Sequence, residues 1–167
     1  KNPLDITKNS KVDIVIELIG SSDGISKKVV ESALKNKKHV ITANKALMSK
    51  HGDNLTSIAE KNRVNLEFEA AVGGGIPVLR TIKDGLATNK INKVVGILNG
   101  TSNYILSQMQ KTKKSFKNVL KEAQKLGFAE ANPKFDLDGS DVLAKIRILS
   151  SLSFNNKISK NICLRNG

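Results

Sequence analysis

The chain has 167 residues, 39% of them hydrophobic, with 28 basic and 15 acidic side chains and a formal net charge of +13. That is enough for one core-bearing domain, or one and part of a second, and too apolar for disorder. No apolar run nears the roughly 18 residues of a membrane span, and the opening "KNPLDITKNSK" lacks the apolar centre of a secretory signal. Among the basic residues only Arg63, Arg80, Arg147 and Arg165 are arginines, and aromatics are 4%. The arginine forks and stacking platforms of a nucleic-acid surface are therefore missing. The scattered lysines read instead as a coding bias with a modest pull on anionic ligands. A single cysteine, Cys163, closes no internal disulfide and sets a reducing, cytoplasmic compartment as the expectation.

"VDIVIELIG" (12–20) is near-continuously apolar and rich in β-branched residues, the pattern of a strand buried on both faces. "SSDG" is turn chemistry, and "ISKKVVESALKNKK" (25–38) spaces Ile25, Val29, Val30, Ala33 and Leu34 as one helical face. "HVITA" (39–43) predicts a second buried strand, 45–62 a helix interrupted at "HGD", and "VNLEFEA" (64–70) a third strand. Strand–helix–strand–helix–strand is the grammar of a parallel α/β sheet, so residues 1–70 read as half of a doubly wound domain. No G-x-G-x-x-G joins a first strand to a first helix, so either this is not a dinucleotide-binding domain or its first βα unit lies upstream of residue 1.

Beyond residue 70 a triple-glycine loop precedes a predicted helix over about 76–88, and "INKVVGILNG" (91–100) predicts a strand. "TSNYILSQMQK" and "SFKNVLKEAQKLG" read as helices, the second stopped by Gly127, and "DVLAKIRILSSLSF" as a last one. A second α+β unit, inserted in or following the first, accounts for this change of texture.

Three stretches could carry chemistry. The loop "VGGGIP" (72–77) lets backbone approach a ligand closely, its N–H groups suiting an anion and its carbonyls a cation; a tight turn needing positive φ explains it equally. In "TANKAL" (42–47), Asn44 and Lys45 stand beyond a strand's carboxyl end, where open α/β sheets bind ligands; the alternative is a helix cap and a solvated lysine. In "FAEANPKFDLDGSDVLAKI" (128–146), Glu130, Asp136, Asp138 and Asp141 gather in a basic chain, and Lys145 falls four residues after Asp141 on one helical face. That is either a surface ion pair or a site where a lysine moves a proton and carboxylates hold an ammonium group. His39 and His51 have no partner at metal-ligand spacing, and Cys163 has no nearby histidine for a thiol nucleophile.

The blocks "VIELIG", "KHVITANKALMSKHG", "FEAAVGGGIPVLRTI", "GILNGTSNYILSQM", "EAQKLGFAEANPKFDLDGSDVLAKIRIL" and "LSF" together resemble one family, homoserine dehydrogenase, over nearly all of 12–154. The resemblance implies an α/β chain: part of a Rossmann-like doubly wound domain (1–70) followed by an incomplete α+β substrate and dimerisation domain (71–167). It implies NAD(P)-dependent interconversion of L-homoserine and L-aspartate 4-semialdehyde, toward threonine and methionine, in a homodimer that binds neither nucleic acid nor membrane.

Carried over residue by residue, Lys145 resembles the lysine that shuttles the hydroxyl proton, with Asp141 orienting it and the substrate. Glu130, supported by Asp136, matches the carboxylate that grips the substrate ammonium, and Gly100 and Thr101 fall in the "NGT" element lining the substrate site. Lys45 is similar to the family lysine placed between cofactor and substrate. Gly127, Ser21, Ser22 and Asn44 fall at cofactor positions. The glycine loop then resembles a sodium-type site built from carbonyls of Glu69, Val72, Gly74 and Ile76. Phe128, where many members have tyrosine, and Asn132, where aspartate is usual, depart from the pattern. Lacking the glycine fingerprint, the chain is expected to be an internal fragment that turns over little alone. Aspartate-semialdehyde dehydrogenase, the rival in the same substrate neighbourhood, needs a central cysteine that Cys163 does not supply.

Overall fold

A computed structural model describes residues 2–155, which fall into two compact groups, residues 2–94 with 147–155 and residues 95–146. The first group opens on α1 (Leu4–Lys8) and then alternates β1 (Ile14–Glu17), α2 (Ile25–Lys35), β2 (His39–Thr42), α3 (Lys45–Asn62) and β3 (Leu66–Glu67). The strands form a parallel sheet in the order β1-β2-β3, with Ile14 opposite His39 and Val40 opposite Leu66. The α/β expectation holds for this part of the chain.

Helices α2 and α3 pack on each other and against one face of the sheet. On that face lie Val15, Glu17, Val40, Thr42 and Leu66, under Val29, Val30, Ala33, Leu34, Leu47, Leu55 and Ala59 of the helices. The other face differs from the sequence expectation of two buried faces. Ile14 is 54% exposed and Ile16 64%, because no described element covers them. Parallel sheets bury both faces, so this apolar face is built for a cover.

Helix α3 runs unbroken through "HGD", against the predicted interruption. The Asn44 cap and the buried Leu47, Met48, Leu55 and Ala59 anchor it on either side of Gly52, an advantage larger than the ~1 kcal/mol an internal glycine costs. The third strand shortens to two residues before a 3-10 turn, Glu69–Ala71. The helix predicted over 76–88 is a short α4 (Val78–Arg80) continued by one π-helical turn, Thr81–Gly85.

The second group contains α5 (Gly100–Thr112), α6 (Phe116–Lys125) and α7 (Lys134–Leu137); α8 (Ser140–Phe154) supplies residues 140–146 to it and 147–154 to the first group. Its core is Ile105, Val119, Ala123 and Ala129, flanked by Tyr104, Met109, Leu120 and Leu137. The strand expected at 91–100 does not form, so the α+β character expected of this part is absent among the described residues. A strand needs a neighbour for its N–H and C=O groups, and none is present among the described residues; Val95 and Ile97 are each 79% exposed. Cys163 lies outside the described residues. No described helix is long and apolar enough to cross a membrane.

Candidate active site

The acidic stretch becomes one connected network in the second group. Asn99 precedes α5 in an extended conformation, and its Oδ1 accepts the N–H of Ser102 at 2.7 Å, capping the helix. This leaves its amide Nδ2 facing inward, where it donates to Asp136 Oδ1 at 2.7 Å and to Asp141 Oδ2 at 3.1 Å. Asp141, in the first turn of α8, is buried, and its Oδ2 also holds the Lys145 ammonium at 2.7 Å. Lys145 donates a second hydrogen bond to the Leu98 carbonyl at 2.7 Å. An ammonium has three N–H groups, so one remains for a further acceptor.

The Thr101 hydroxyl has a single proton to share between the Phe128 carbonyl (2.7 Å) and Asp136 Oδ2 (3.0 Å). Gly100, the first residue of α5, leaves open space where a side chain would stand. The Asp141–Lys145 pair is therefore no solvated surface pair: it is enclosed, and it shares its carboxylate with a second buried donor.

Around the network the loop 127–133 is set by backbone geometry. Gly127 (φ 78°) reverses the chain after α6, letting Phe128 N–H donate to the Ala123 carbonyl at 2.9 Å. Gln124 Nε2 donates to the carbonyls of Glu130 (3.2 Å) and Ala131 (3.3 Å). The Glu130 carboxylate itself is exposed and stands outside the network among the described residues. Phe128 stacks on Tyr104, ring centroids 4.5 Å apart. Asp138 Oδ1 accepts the Ser140 N–H at 2.8 Å, which is turn chemistry.

A second network lies at the carboxyl ends of β1 and β2 in the first group. Its hub is Glu17, which the reading of an apolar strand passed over and which is 1% exposed. Its carboxylate accepts from Ile19 N–H (2.8 Å), Thr42 Oγ1 (2.7 Å), the Ser26 hydroxyl and, at 3.5 Å, Asn44 Nδ2. Burial pushes the Glu17 carboxyl up, but these donors together outweigh it and hold it below the ordinary glutamate value. Asn44 caps α3 through Leu47 N–H and donates to the Ser21 carbonyl at 2.7 Å and to Ser26 Oγ at 2.9 Å. Asn44 is thus a helix cap, the alternative reading of that position, and it also fixes the turn carrying Ser21.

Ser22 donates to Asp23 Oδ2, which also meets Lys50, while His51 meets Asp23 Oδ1 at 3.0 Å. The Lys50 ammonium, then Ser22 and His51, hold the Asp23 carboxyl well below the usual aspartate range. Lys45 is half-buried at the first position of α3.

In the glycine loop, Gly73 (φ 68°) and Gly75 (φ 79°) take the conformation the sequence suggested. The Glu69 carbonyl accepts the Val72 N–H and the Ile76 carbonyl accepts that of Val78, while the Glu69 carboxylate caps α4 at Leu79 and Arg80 N–H. Each of these carbonyls keeps a lone pair, and carbonyl oxygen is the donor type a hard cation takes. No group of three or more His, Cys, Asp or Glu able to hold a metal occurs among the described residues.

Comparison with known proteins gives these two halves a common origin. Residues 2–69 match the family model "Homoserine dehydrogenase, NAD binding domain", and residues 77–167 match "Homoserine dehydrogenase". A homoserine dehydrogenase of Neisseria gonorrhoeae is 46% identical over 167 residues, all of this chain and 38% of that protein. The crystal structure of the homoserine dehydrogenase from Thiobacillus denitrificans aligns over 93% of this chain and 36% of its own, with TM-score 0.87 and 46% identity. A hyperthermophilic archaeal homoserine dehydrogenase in complex with NADPH aligns over 93% of this chain and 48% of its own, with TM-score 0.84 and 26% identity. The chain thus spans little more than a third of the length of the bacterial relatives it matches, and it belongs to the homoserine dehydrogenase family.

Proposed function

We propose that the protein carrying this chain interconverts L-homoserine and L-aspartate 4-semialdehyde with NAD(P), toward threonine and methionine, and that Lys145 moves the proton. The observation that carries the reading is the Asp141–Lys145 pair, with Lys145 Nζ 2.7 Å from the buried carboxylate and a third N–H left for substrate. Lys145 in its neutral form takes the hydroxyl proton during oxidation and in its ammonium form returns it to the carbonyl oxygen during reduction. Asp141 orients it through Oδ2. Asp136 and the exposed Glu130 supply negative charge for the substrate ammonium, and Thr101 with Gly100 shapes the adjoining wall.

When bound, the nicotinamide supplies the hydride chemistry. On the nucleotide side, Ser21, Ser22, Asn44 and Lys45 at the strand ends would hold it. Residues 1–70 are assigned to the nucleotide half and 71–167 to the catalytic half. The carbonyls of Glu69, Val72, Gly74 and Ile76 are assigned to a sodium-type cation, and the assembly to a cytoplasmic homodimer.

The test is Lys145→Ala and Asp141→Asn in the gene's full translation product, followed by homoserine-dependent reduction of NADP⁺. Removing a positioned proton carrier lowers kcat by about 10²–10⁴-fold in variants that circular dichroism shows to be folded. Activity within a factor of ten of the parent in Lys145→Ala refutes the assignment. A nucleic-acid-binding protein would instead show no such loss and an affinity falling steeply with salt.

A further inference from the structure

Asn99 was no candidate from the sequence, yet its side chain hydrogen-bonds both aspartates of the network. Its Nδ2 lies 2.7 Å from Asp136 Oδ1 and 3.1 Å from Asp141 Oδ2, so those two oxygens cannot be farther apart than the two bonds laid end to end. Two carboxylates so close, one of them buried, repel, and a donor shared between them offsets that repulsion. A primary amide has two hydrogens on one nitrogen and can give one to each carboxylate. Asn99 is itself 5% exposed, and its Oδ1 is committed to the cap of α5, which fixes which end of the amide faces the aspartates.

We infer that Asn99 is a positioning residue of this site: it holds the Asp136 and Asp141 carboxylates together and presents Asp141 Oδ2 to Lys145. The inference rests on the proposed reading of the Asp141–Lys145 pair and adds to it the shared donor that fixes where Asp141 Oδ2 stands. Aspartate at position 99 would put a third acceptor against two, whereas serine would keep the cap but cannot span both carboxylates.

The discriminating variants are Asn99→Ser and Asn99→Asp, assayed in the gene's full translation product beside Asn99→Ala and Lys145→Ala. Serine caps helices, so the unfolding midpoint of Asn99→Ser stays above that of Asn99→Ala. In Asn99→Ser, kcat/KM for homoserine falls about ten- to a hundredfold, the loss of a charge-assisted hydrogen bond, while KM for NADP⁺ stays within about twofold. With no shared donor between the carboxylates, the acid limb of the kcat/KM profile moves to higher pH, farther still in Asn99→Asp, where a third carboxyl joins them. Homoserine binding followed by calorimetry across the same pH range shifts in parallel.

A folded Asn99→Ser with parental kcat/KM and acid limb would overturn the inference and leave Asn99 as a cap alone. Should Asn99→Ser not fold, the acid limb of Asn99→Asp decides in the same way. An active Lys145→Ala removes the underlying reading and this inference with it; parental behaviour in Asn99→Ser beside an inactive Lys145→Ala removes the inference only.

Discussion

Replacing Glu17 by glutamine changes one oxygen to a nitrogen at the centre of the β1–β2 strand ends, and its consequences can be worked through group by group. The Ile19 N–H, 2.8 Å from Oε1, is backbone and cannot turn, so the amide oxygen must take the Oε1 position. The new Nε2 then faces Thr42 Oγ1, where Oε2 had accepted a proton at 2.7 Å. Thr42 Oγ1 already accepts the Asn44 N–H at 3.0 Å, so it can accept the new donor but must turn its own proton away with no acceptor at hand. One charge-assisted bond is lost and one buried proton is left unmet, about 3 kcal/mol together. Relief from desolvating a buried charge offsets part of that, leaving a net loss near 2 kcal/mol and a midpoint lower by about 4–8 °C for a domain of this size.

The pH dependence carries the sharper signature. Because the folded carboxyl sits below its unfolded value, its contribution is complete above the ordinary glutamate range and is lost as pH falls through the folded pKa. The gap between parent and Glu17→Gln is therefore full at pH 7 and closes in acid, below about pH 4. Unfolding followed by circular dichroism between pH 7 and pH 3 measures it. A variant as stable as the parent at neutral pH, or a gap that persists unchanged into acid, sinks the argument.

Three further outcomes follow from the same geometry. Gly127→Ala meets no atom within 4 Å of its new methyl group, so its cost is the backbone strain at positive φ alone, about 1–2 kcal/mol; an unchanged midpoint in thermal melts contradicts it. The 167-residue chain on its own should self-associate and bind a hydrophobic dye through Ile14, Ile16 and Ile41, and Ile16→Glu with Ile41→Glu should reduce both at unchanged helical content. A monomeric, dye-silent parent chain would refute the reading of that face. Exchanging sodium for a bulky organic cation should lower homoserine oxidation by the full translation product if the glycine-loop carbonyls hold a cation, and identical rates in both salts would discard that site.

What the sequence made legible was decided by periodicity and turn chemistry. Three strands and two helices in parallel α/β order follow from runs such as "VDIVIELIG" and from the spacing of Val29, Val30, Ala33 and Leu34, and all five form. The failures have a common cause, which is that a local pattern does not state what packs against it. "INKVVGILNG" has strand composition but no neighbouring strand among the described residues. Ile14 and Ile16 look buried because they are apolar, yet their face is bare.

The same limit hid Glu17 and Asn99. Within a β-branched run a lone glutamate reads as an outward-facing residue, and before a helix an asparagine reads as a cap. Asn99 is indeed a cap, and capping is what leaves its amide nitrogen free to join two aspartates 37 and 42 residues away. Side chains that meet only through the tertiary fold leave no spacing signal. One usable signal remains, a buried-strand pattern interrupted by a single acid, because a carboxylate is rarely enclosed unless donors await it. Applied to "VIELIG", that rule would have asked which hydroxyls and amides meet Glu17, and Ser26, Thr42 and Asn44 are the answer.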